Sequence, residues 1–431
     1  HGRTSDGLDL SRTVGWFTAV HPVRIDPDTT DPARVRAGGA DAGRLIKLVK
    51  EQSRAVPGDG LGYGLLRHLG PDTASVFADL PSAQVAFNYL GRSALTGGDW
   101  EPVPGGMAAV SDAEAAGAHV LEADAFAEAL PDGTRLTLEL TSPGGVLPDA
   151  SLDALAASWA AMLGGLAAHA ATPGGGGHTP SDFPLVTLDQ AQIDDLDGTC
   201  PGLLDVWPLS PLQEGLLFHA HYEGQGRDTY VEQRVLELAG PVDPEILRAT
   251  WTALLRRHPN LSAGFRQPAG LRRLIQVVAR DVVPPWREAD LSGMSGQDAE
   301  AEADRLAGEE QARGFDPAEA PLIRLLLVRL GDSRHRLVVT MHHILMDGWS
   351  LPVLFDEMEQ VYAAGGDAGG LPPAGSYREY LAWLAGQDRD TARAAWRDLL
   401  AGVTEPTLVA PGDRSADPVG PRNVHARADA D

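Results

Sequence analysis

The nine residues HHILMDGWS, His342–Ser350, place two imidazoles, a carboxylate and a glycine in one short stretch. A neutral imidazole is the side chain best suited to exchange a proton near pH 7, for instance with an amine or hydroxyl attacking an acyl group. Neighbouring side chains on a strand leave on opposite faces, so His342 and His343 are not expected to serve one cleft together. One should be chemical and the other structural. Asp347, four residues past His343, could orient the imidazole or bind an arginine and set the shape of the loop. Gly348 can complete a turn there at little steric cost. Backbone amides at the start of the next helix would offer a partly positive end to a developing oxyanion. Two other readings stay open: a histidine pair packed in a core, or a metal site. A metal needs a third or fourth ligand, and Asp347 is the sole candidate close by in sequence.

Something must hold this stretch in place. PLIRLLLVRL and HRLVVTMHH flank GDSR, which predicts adjacent antiparallel strands, the second delivering the histidines at its C-terminal end. LPVLFDEMEQVYAA follows as a helix, with Ser350 as its N-cap and Pro352 tolerated in the first turn. Upstream, Tyr230–Leu238 reads as a strand. Asp243 and Pro244 then open a helix whose Leu247, Trp251, Leu254 and His258 share one face. In the first half Arg44–Arg54 reads as a helix, Thr134–Leu140 as a strand, and Leu152–Ala168 as an amphipathic helix with Leu152, Leu155, Trp159, Leu163 and Leu166 turned to a core. Helices interleaved with strands in both halves predict a layered α/β architecture.

With 431 residues, 43% of them hydrophobic, the chain has material for two or three domains. Its 35 basic and 60 acidic residues give a net charge of −25, which repels phosphate backbones and anionic lipid surfaces, so neither nucleic acid nor membrane is an expected partner. The longest nearly apolar stretch, Ala154–Ala168, is about 15 residues, short of the roughly 20 a bilayer span requires. A lone cysteine, Cys200, permits no internal disulfide and suits a cytoplasmic setting. The chain starts at His1 without a methionine, which reads as a segment of something longer. Glycines and prolines cluster at Ala171–Val186, where a domain boundary is expected. The tail APGDRSADPVGPRNVHARADAD, Ala410–Asp431, reads as a loop or frayed end.

HHILMDGWS resembles the HHxxxDG signature of condensation domains in nonribosomal peptide synthetases. VWPLSPLQEGLLFHA (Val206–Ala220) resembles their first motif, RHPNLSAGF (Arg257–Phe265) their second, and RGFDPAEAPLIRL (Arg313–Leu325) the approach to the histidine strand. HGRTSDGLDLSRTVGWFTAVHPV (His1–Val23), VPGDGLGYGLLR (Val56–Arg67) and FNYLGR (Phe87–Arg92) are similar to later motifs of epimerization domains from the same assembly lines. TPSDFPLVTLDQAQIDDL (Thr179–Leu196) resembles the connection between the two. GGGGHTPSD also has some likeness to the GGHS of a carrier protein. Thr179 stands at the position of its serine, and the run reads as a flexible hinge.

The resemblance implies an α/β fold of chloramphenicol-acetyltransferase-like (CoA-dependent acyltransferase-like) lobes, two in tandem joined by a linker. Residues 1–171 would be the C-terminal lobe of an epimerization domain, 172–204 a Gly/Pro-rich linker, and 205–431 the N-terminal lobe of a condensation domain. It further implies that His343 is the catalytic histidine, with His342, Asp347, Gly348 and Ser350 shaping its loop and Asn88 and Tyr89 lining the cleft of the epimerization part. The implied partners are aminoacyl and peptidyl carrier proteins and neighbouring synthetase modules. Their phosphopantetheine arms present the substrates, and no cofactor is bound covalently and no metal is expected. The SPLQEG form implies a D-configured donor and an L-configured acceptor. The epimerization part lacks an HHxxxDG of its own, so no epimerase activity is expected of this chain, and condensation by it alone should be absent or slowed. The alternatives are a carrier-docking module without activity and a CoA-dependent acyltransferase of the same fold.

Overall fold

The computed structural model describes residues 9–10, 12–93, 119–130, 133–222 and 230–405. The HGR element at residues 1–3 and the tail from Ala410 lie outside them. The described residues form two compact units that divide between Gly375 and Ser376.

The first unit begins with α1 (Pro32–Arg36) and α2 (Ala40–Arg54), followed by the short α3 (Leu61–Gly64) and α4 (Ala74–Ala78). Asp31 caps α1, accepting the Ala33 N–H at 2.8 Å, and Pro32 supplies the preset φ of the first turn. Gly60, at φ 80°, cannot be replaced freely, because a Cβ there would lie 1.9 Å from His21 Nδ1. β1 (Val85–Ser93) runs parallel to β2 (Leu121–Leu130), which pairs antiparallel with β3 (Gly133–Thr141). α5 (Asp149–Ala170) crosses α1 so closely that a Cβ on Gly165 would fall 2.0 Å from the Val35 carbonyl oxygen.

α5 departs from expectation in two ways. At 22 residues it is long and apolar enough to cross a membrane by length and composition, where the sequence suggested about 15. Its apolar stripe is also not sunk in a core: Leu155 is 48% exposed, and Leu152, Trp159, Leu163 and Leu166 are only partly covered. All three clusters of buried apolar side chains among the described residues lie between Phe183 and Val361.

The Gly/Pro-rich stretch is not a loose hinge. Gly174, Gly176 and Gly177 turn the chain with positive φ, after which it packs. Thr179 is buried and reciprocally capped with Asp182 across a 3₁₀ turn, and α6 (Gln190–Thr199) follows. Phe183, Leu188, Ile193 and Leu196 form one cluster with Val206, Ile275 and Val277. Lys47 and Lys50 of α2 reach Asp194 and Asp182 of this segment. Its apolar residues have a neighbouring sheet to bury against, which outweighs the flexibility that the glycines suggest.

That sheet has the order β4 (Leu203–Pro208), β7 (Ile275–Ala279), β6 (Ala263–Arg266), all antiparallel. Between them run α7 (Pro211–Tyr222), β5 (Val231–Ala239) and α8 (Pro244–Arg257). A second sheet has the order β5, β10 (Arg334–His342), β9 (Ile323–Arg329), β8 (Trp286–Asp290), with only β8 and β9 parallel. β9 and β10 are buried on both faces. Leu325, Leu327, Leu337, Val339 and Met341 meet α8 and α10 (Ser350–Ala363), while Leu326, Val328 and Val338 meet α9 (Gly296–Ala312). The unbroken apolar runs in the sequence reflect this double coverage. The layered α/β class is therefore the one observed. The second unit contains α11 (Tyr377–Ala385), capped by Ser376, and α12 (Arg389–Leu399), capped by Asp388.

Two outcomes are expected from this packing. Leu326→Ala, at 1% exposure in a doubly covered strand, should cost about 2–5 kcal/mol in urea unfolding, against under about 0.5 kcal/mol for Leu155→Ser on open α5. Burial alone would raise the Asp182 carboxyl pKa, but hydrogen bonds from Lys50 and Thr179 outweigh it and hold the pKa below the usual range. A lowered folded pKa means the stabilisation is complete above about pH 4, the ordinary value, and is lost as pH falls beneath it. Asp182→Asn should thus lower the melting temperature at pH 7 and converge with the wild type in strong acid; a difference constant from pH 7 to pH 2 would contradict this.

Candidate active site

β10 presents alternate residues to its two sides, and Val338, Thr340 and His342 share the side facing α9. His342 closes the strand with no solvent exposure. Its Nδ1 accepts the Ile344 N–H at 3.0 Å, and its ring lies 6.3 Å from that of Tyr230. His343, one residue on, donates its backbone N–H to the Tyr230 carbonyl at 2.8 Å, so the ladder to β5 continues to this point. Its imidazole is 37% exposed, with Nδ1 3.8 Å from Glu232 Oε1. One ring is sealed behind the strand and the other opens outward.

The loop carrying His343 is gripped from two directions. Gln213 in α7 donates its amide to the Ile344 carbonyl at 2.9 Å, and Asn260 donates to the Leu345 carbonyl at 3.1 Å. Gln213 is itself held, its Oε1 accepting from the Ser210 N–H at 2.9 Å and from Gln276 Nε2 of β7 at 3.1 Å. The start of the loop is anchored by Ile344 and Leu345, which are buried in the large core. Behind Asn260, Glu357 of α10 takes a fork from Arg257 at 2.8 and 2.9 Å and meets His258 Nε2 at 2.6 Å, tying the end of α8 to α10. His258 sits just past the helix rather than on its apolar face. The approach strand is set by Arg324, which stacks over Phe315 at 3.9 Å and pairs with buried Glu310 at 3.3 Å.

Four expectations about the loop change. Asp347 neither orients His343 nor meets an arginine among the described residues. It accepts the Ser350 hydroxyl at 2.8 Å and the Ser350 N–H at 3.0 Å, and the hydroxyl's hydrogen bond holds its carboxyl below the usual range. Ser350 is accordingly the first residue of α10 and not its cap. The positive end of α10 is met by Asp347, which displaces it as a receptor for an oxyanion. Gly348 lacks a positive φ, and a Cβ there would meet nothing within 4 Å, so the backbone does not require glycine. Beside it Trp349 is 89% exposed.

Asn88 and Tyr89 are neighbours on β1 and so face opposite sides of the first sheet, Asn88 bonding Asp124 at 3.0 Å. Gln213, Asn260, Glu232 and Gln276 were not singled out from sequence. The signal for Gln213 and Asn260 was present as amide side chains inside SPLQEG and RHPNL, where buried polar groups imply a fixed partner; Glu232 and Gln276 carried no such signal. Among the described residues no group of three or more His, Cys, Asp or Glu side chains is placed to hold a metal ion.

Comparison with known proteins agrees with the motifs. The chain is 35% identical over 423 residues to a linear gramicidin synthase protein of Brevibacillus parabrevis, covering 96% of this chain and 8% of that protein. It is 36% identical over 427 residues to another protein of the same synthase, with the same coverage of each. Bacitracin synthase 1 of Bacillus licheniformis is 29% identical over 409 residues, covering 93% of this chain and 8% of that protein. The chain thus spans under a tenth of these relatives. Among solved structures, the first condensation domain of the calcium-dependent antibiotic synthetase in complex with a substrate analogue aligns at 25% identity and a TM-score of 0.39, over 46% of this chain and 48% of that one, too low a score to argue from. The family model for the condensation domain matches residues 1–172 and 204–423, and with HHxxxDG at the end of a buried strand the chain belongs to the condensation domain family.

Proposed function

We propose that this chain is part of a nonribosomal peptide synthetase and that its second half forms an amide bond between a donor aminoacyl or peptidyl thioester and an acceptor aminoacyl thioester. Both would be presented on phosphopantetheine arms of carrier proteins. The condensation-family match in two stretches, separated by residues 173–203, supports reading two lobes joined by a linker; the likeness of Val56–Arg67 and Phe87–Arg92 to epimerization motifs supports the first as the C-terminal lobe of an epimerization domain, and HHxxxDG supports the second as the N-terminal, chloramphenicol-acetyltransferase-like lobe of a condensation domain. SPLQEG supports a D-configured donor.

The observation that carries this reading is the outward imidazole of His343 on an otherwise immobilised loop. With Nδ1 turned to Glu232, Nε2 is the nitrogen left for an incoming amine. The amine nitrogen attacks the thioester carbon, and the tetrahedral adduct gives one amine proton to Nε2. Collapse breaks the C–S bond, the thiol leaves with that proton, and the amide remains. Holding a neutral amine in line is as much of the task as accepting its proton, which is why the loop's grip matters. Glu232 shares its charge with Arg234, at 3.0 Å, and so steadies the ring without fixing a full ion pair on it.

In the full-length synthetase, His343→Ala should lower amide formation between charged donor and acceptor carrier proteins by about 10²–10⁴-fold, read by mass spectrometry of the carrier arms, while carrier binding persists. Equal rates in the two proteins would sink the assignment; acyl transfer from a coenzyme A thioester instead of a carrier would favour the free-standing acyltransferase. Gln213→Leu and Asn260→Leu should each destabilise by about 1–3 kcal/mol by stranding a buried carbonyl. Each should also lower the turnover number about tenfold or more through displacement of His343, with KM little changed. A loss confined to stability would show that the grip does not position the ring.

A further inference from the structure

β5 ends its sheet, and its register brings two charged side chains to the outward ring of His343. Glu232 pairs with Met341 and Arg234 with Val339, so both leave β5 on one face. Strand alternation puts His343 on that same face, opposite His342, and makes Glu232 its diagonal neighbour across the ladder.

Each oxygen of the Glu232 carboxylate has its own partner. Oε1 lies 3.8 Å from His343 Nδ1, and Oε2 accepts from the Arg234 guanidinium at 3.0 Å. Arg234 is fixed in turn, donating at 3.2 Å to the Gln233 carbonyl. Gln233 is held on the other face of the sheet, where its amide donates to the Ala307 carbonyl of α9 at 2.8 Å and to the Thr340 hydroxyl at 3.0 Å. A row of contacts therefore runs from a braced strand through Arg234 and Glu232 to the imidazole. The other elements that grip the loop, α7 and the segment after α8, meet it with the neutral amides of Gln213 and Asn260, and Asp347 is turned to Ser350.

A carboxylate alone beside an imidazole favours the imidazolium, which has no lone pair to accept a proton. A guanidinium on the far oxygen opposes that and also keeps the carboxylate from rotating away from Nδ1. The Arg234 and Glu232 side chains are 41% and 29% exposed, and a pair so open adds little to stability. Its consequence lies at the ring.

We propose that Arg234 is a positioning residue for the condensation reaction, acting through Glu232 to keep His343 oriented and neutral as it receives the amine. This role rests on the reading of His343 as the group that takes the amine proton.

In the full-length synthetase, Arg234→Met should lower amide formation about threefold or more near pH 6 and little near pH 8.5, because the imidazolium then persists to higher pH, with the melting temperature unchanged. Arg234→Lys keeps the charge and should return the profile to that of the wild type. In a Glu232→Gln background Arg234→Met should add little, since its route to the ring is gone. NMR of the 431-residue chain carrying isotope-labelled histidine gives a reading that needs no reaction. The His343 ring signal, assigned by its loss in His343→Ala, should titrate at higher pH in Arg234→Met than in the wild type. An unmoved ring titration, or an equal loss of rate at both pH values, would overturn the role of Arg234. Wild-type amide formation by His343→Ala would instead overturn the reading beneath it, which separates the two failures.

Discussion

The geometry of the histidine loop depends on two side-chain amides, those of Gln213 and Asn260, that take the carbonyls of Ile344 and Leu345. A chain leaving a strand has carbonyls that the ladder no longer satisfies, and here the residues bearing them are buried. Each stranded carbonyl would cost about 1–3 kcal/mol, so the loop has one conformation in which both are met. Gln213 is in turn held by Ser210 and by Gln276 of the neighbouring sheet. One amide therefore links the two sheets of this half through the residue next to His343.

Around that grip the sheet provides rigidity by being covered twice. β9 and β10 have apolar residues packed on both faces, so neither can shift register without breaking its fit to the helices on both sides. Strand alternation then decides the fates of the two histidines. His342 follows Val338 and Thr340 inward and spends its Nδ1 on the loop's own backbone. His343, the first residue past the strand, is released to the outside with its main chain still tied to Tyr230.

The first half is organised differently. Its sheet and α5 leave apolar side chains such as Phe87 and Leu155 exposed, and its buried residues are few. What joins it to the second half is polar, with Lys47 and Lys50 of α2 reaching the aspartates of the connecting segment. That segment owes its order to Phe183, Ile193 and Leu196, which bury against β4 and β7 despite the glycines ahead of them.

Much was legible from the residues alone, because it rests on local rules. The apolar runs PLIRLLLVRL and HRLVVTMHH either side of a short turn announced the strands observed at 323–329 and 334–342, and Asp243 with Pro244 announced α8. Adjacent histidines on a strand had to part ways. The motifs pointed to the family, and the family model matches the stretches they occupy. Tertiary structure decided what depends on partners distant in sequence. Asp347 turned to Ser350, because the helix start three residues on offered two donors. A glycine-rich stretch became packed chain because a sheet lay beside it. Gln213 and Asn260, lying 131 and 85 residues from the carbonyls they hold, acquired their role only when folding brought them together. Spacing along the chain sets which face a side chain takes, whereas the identity of its partner is settled by what the fold lays against that face.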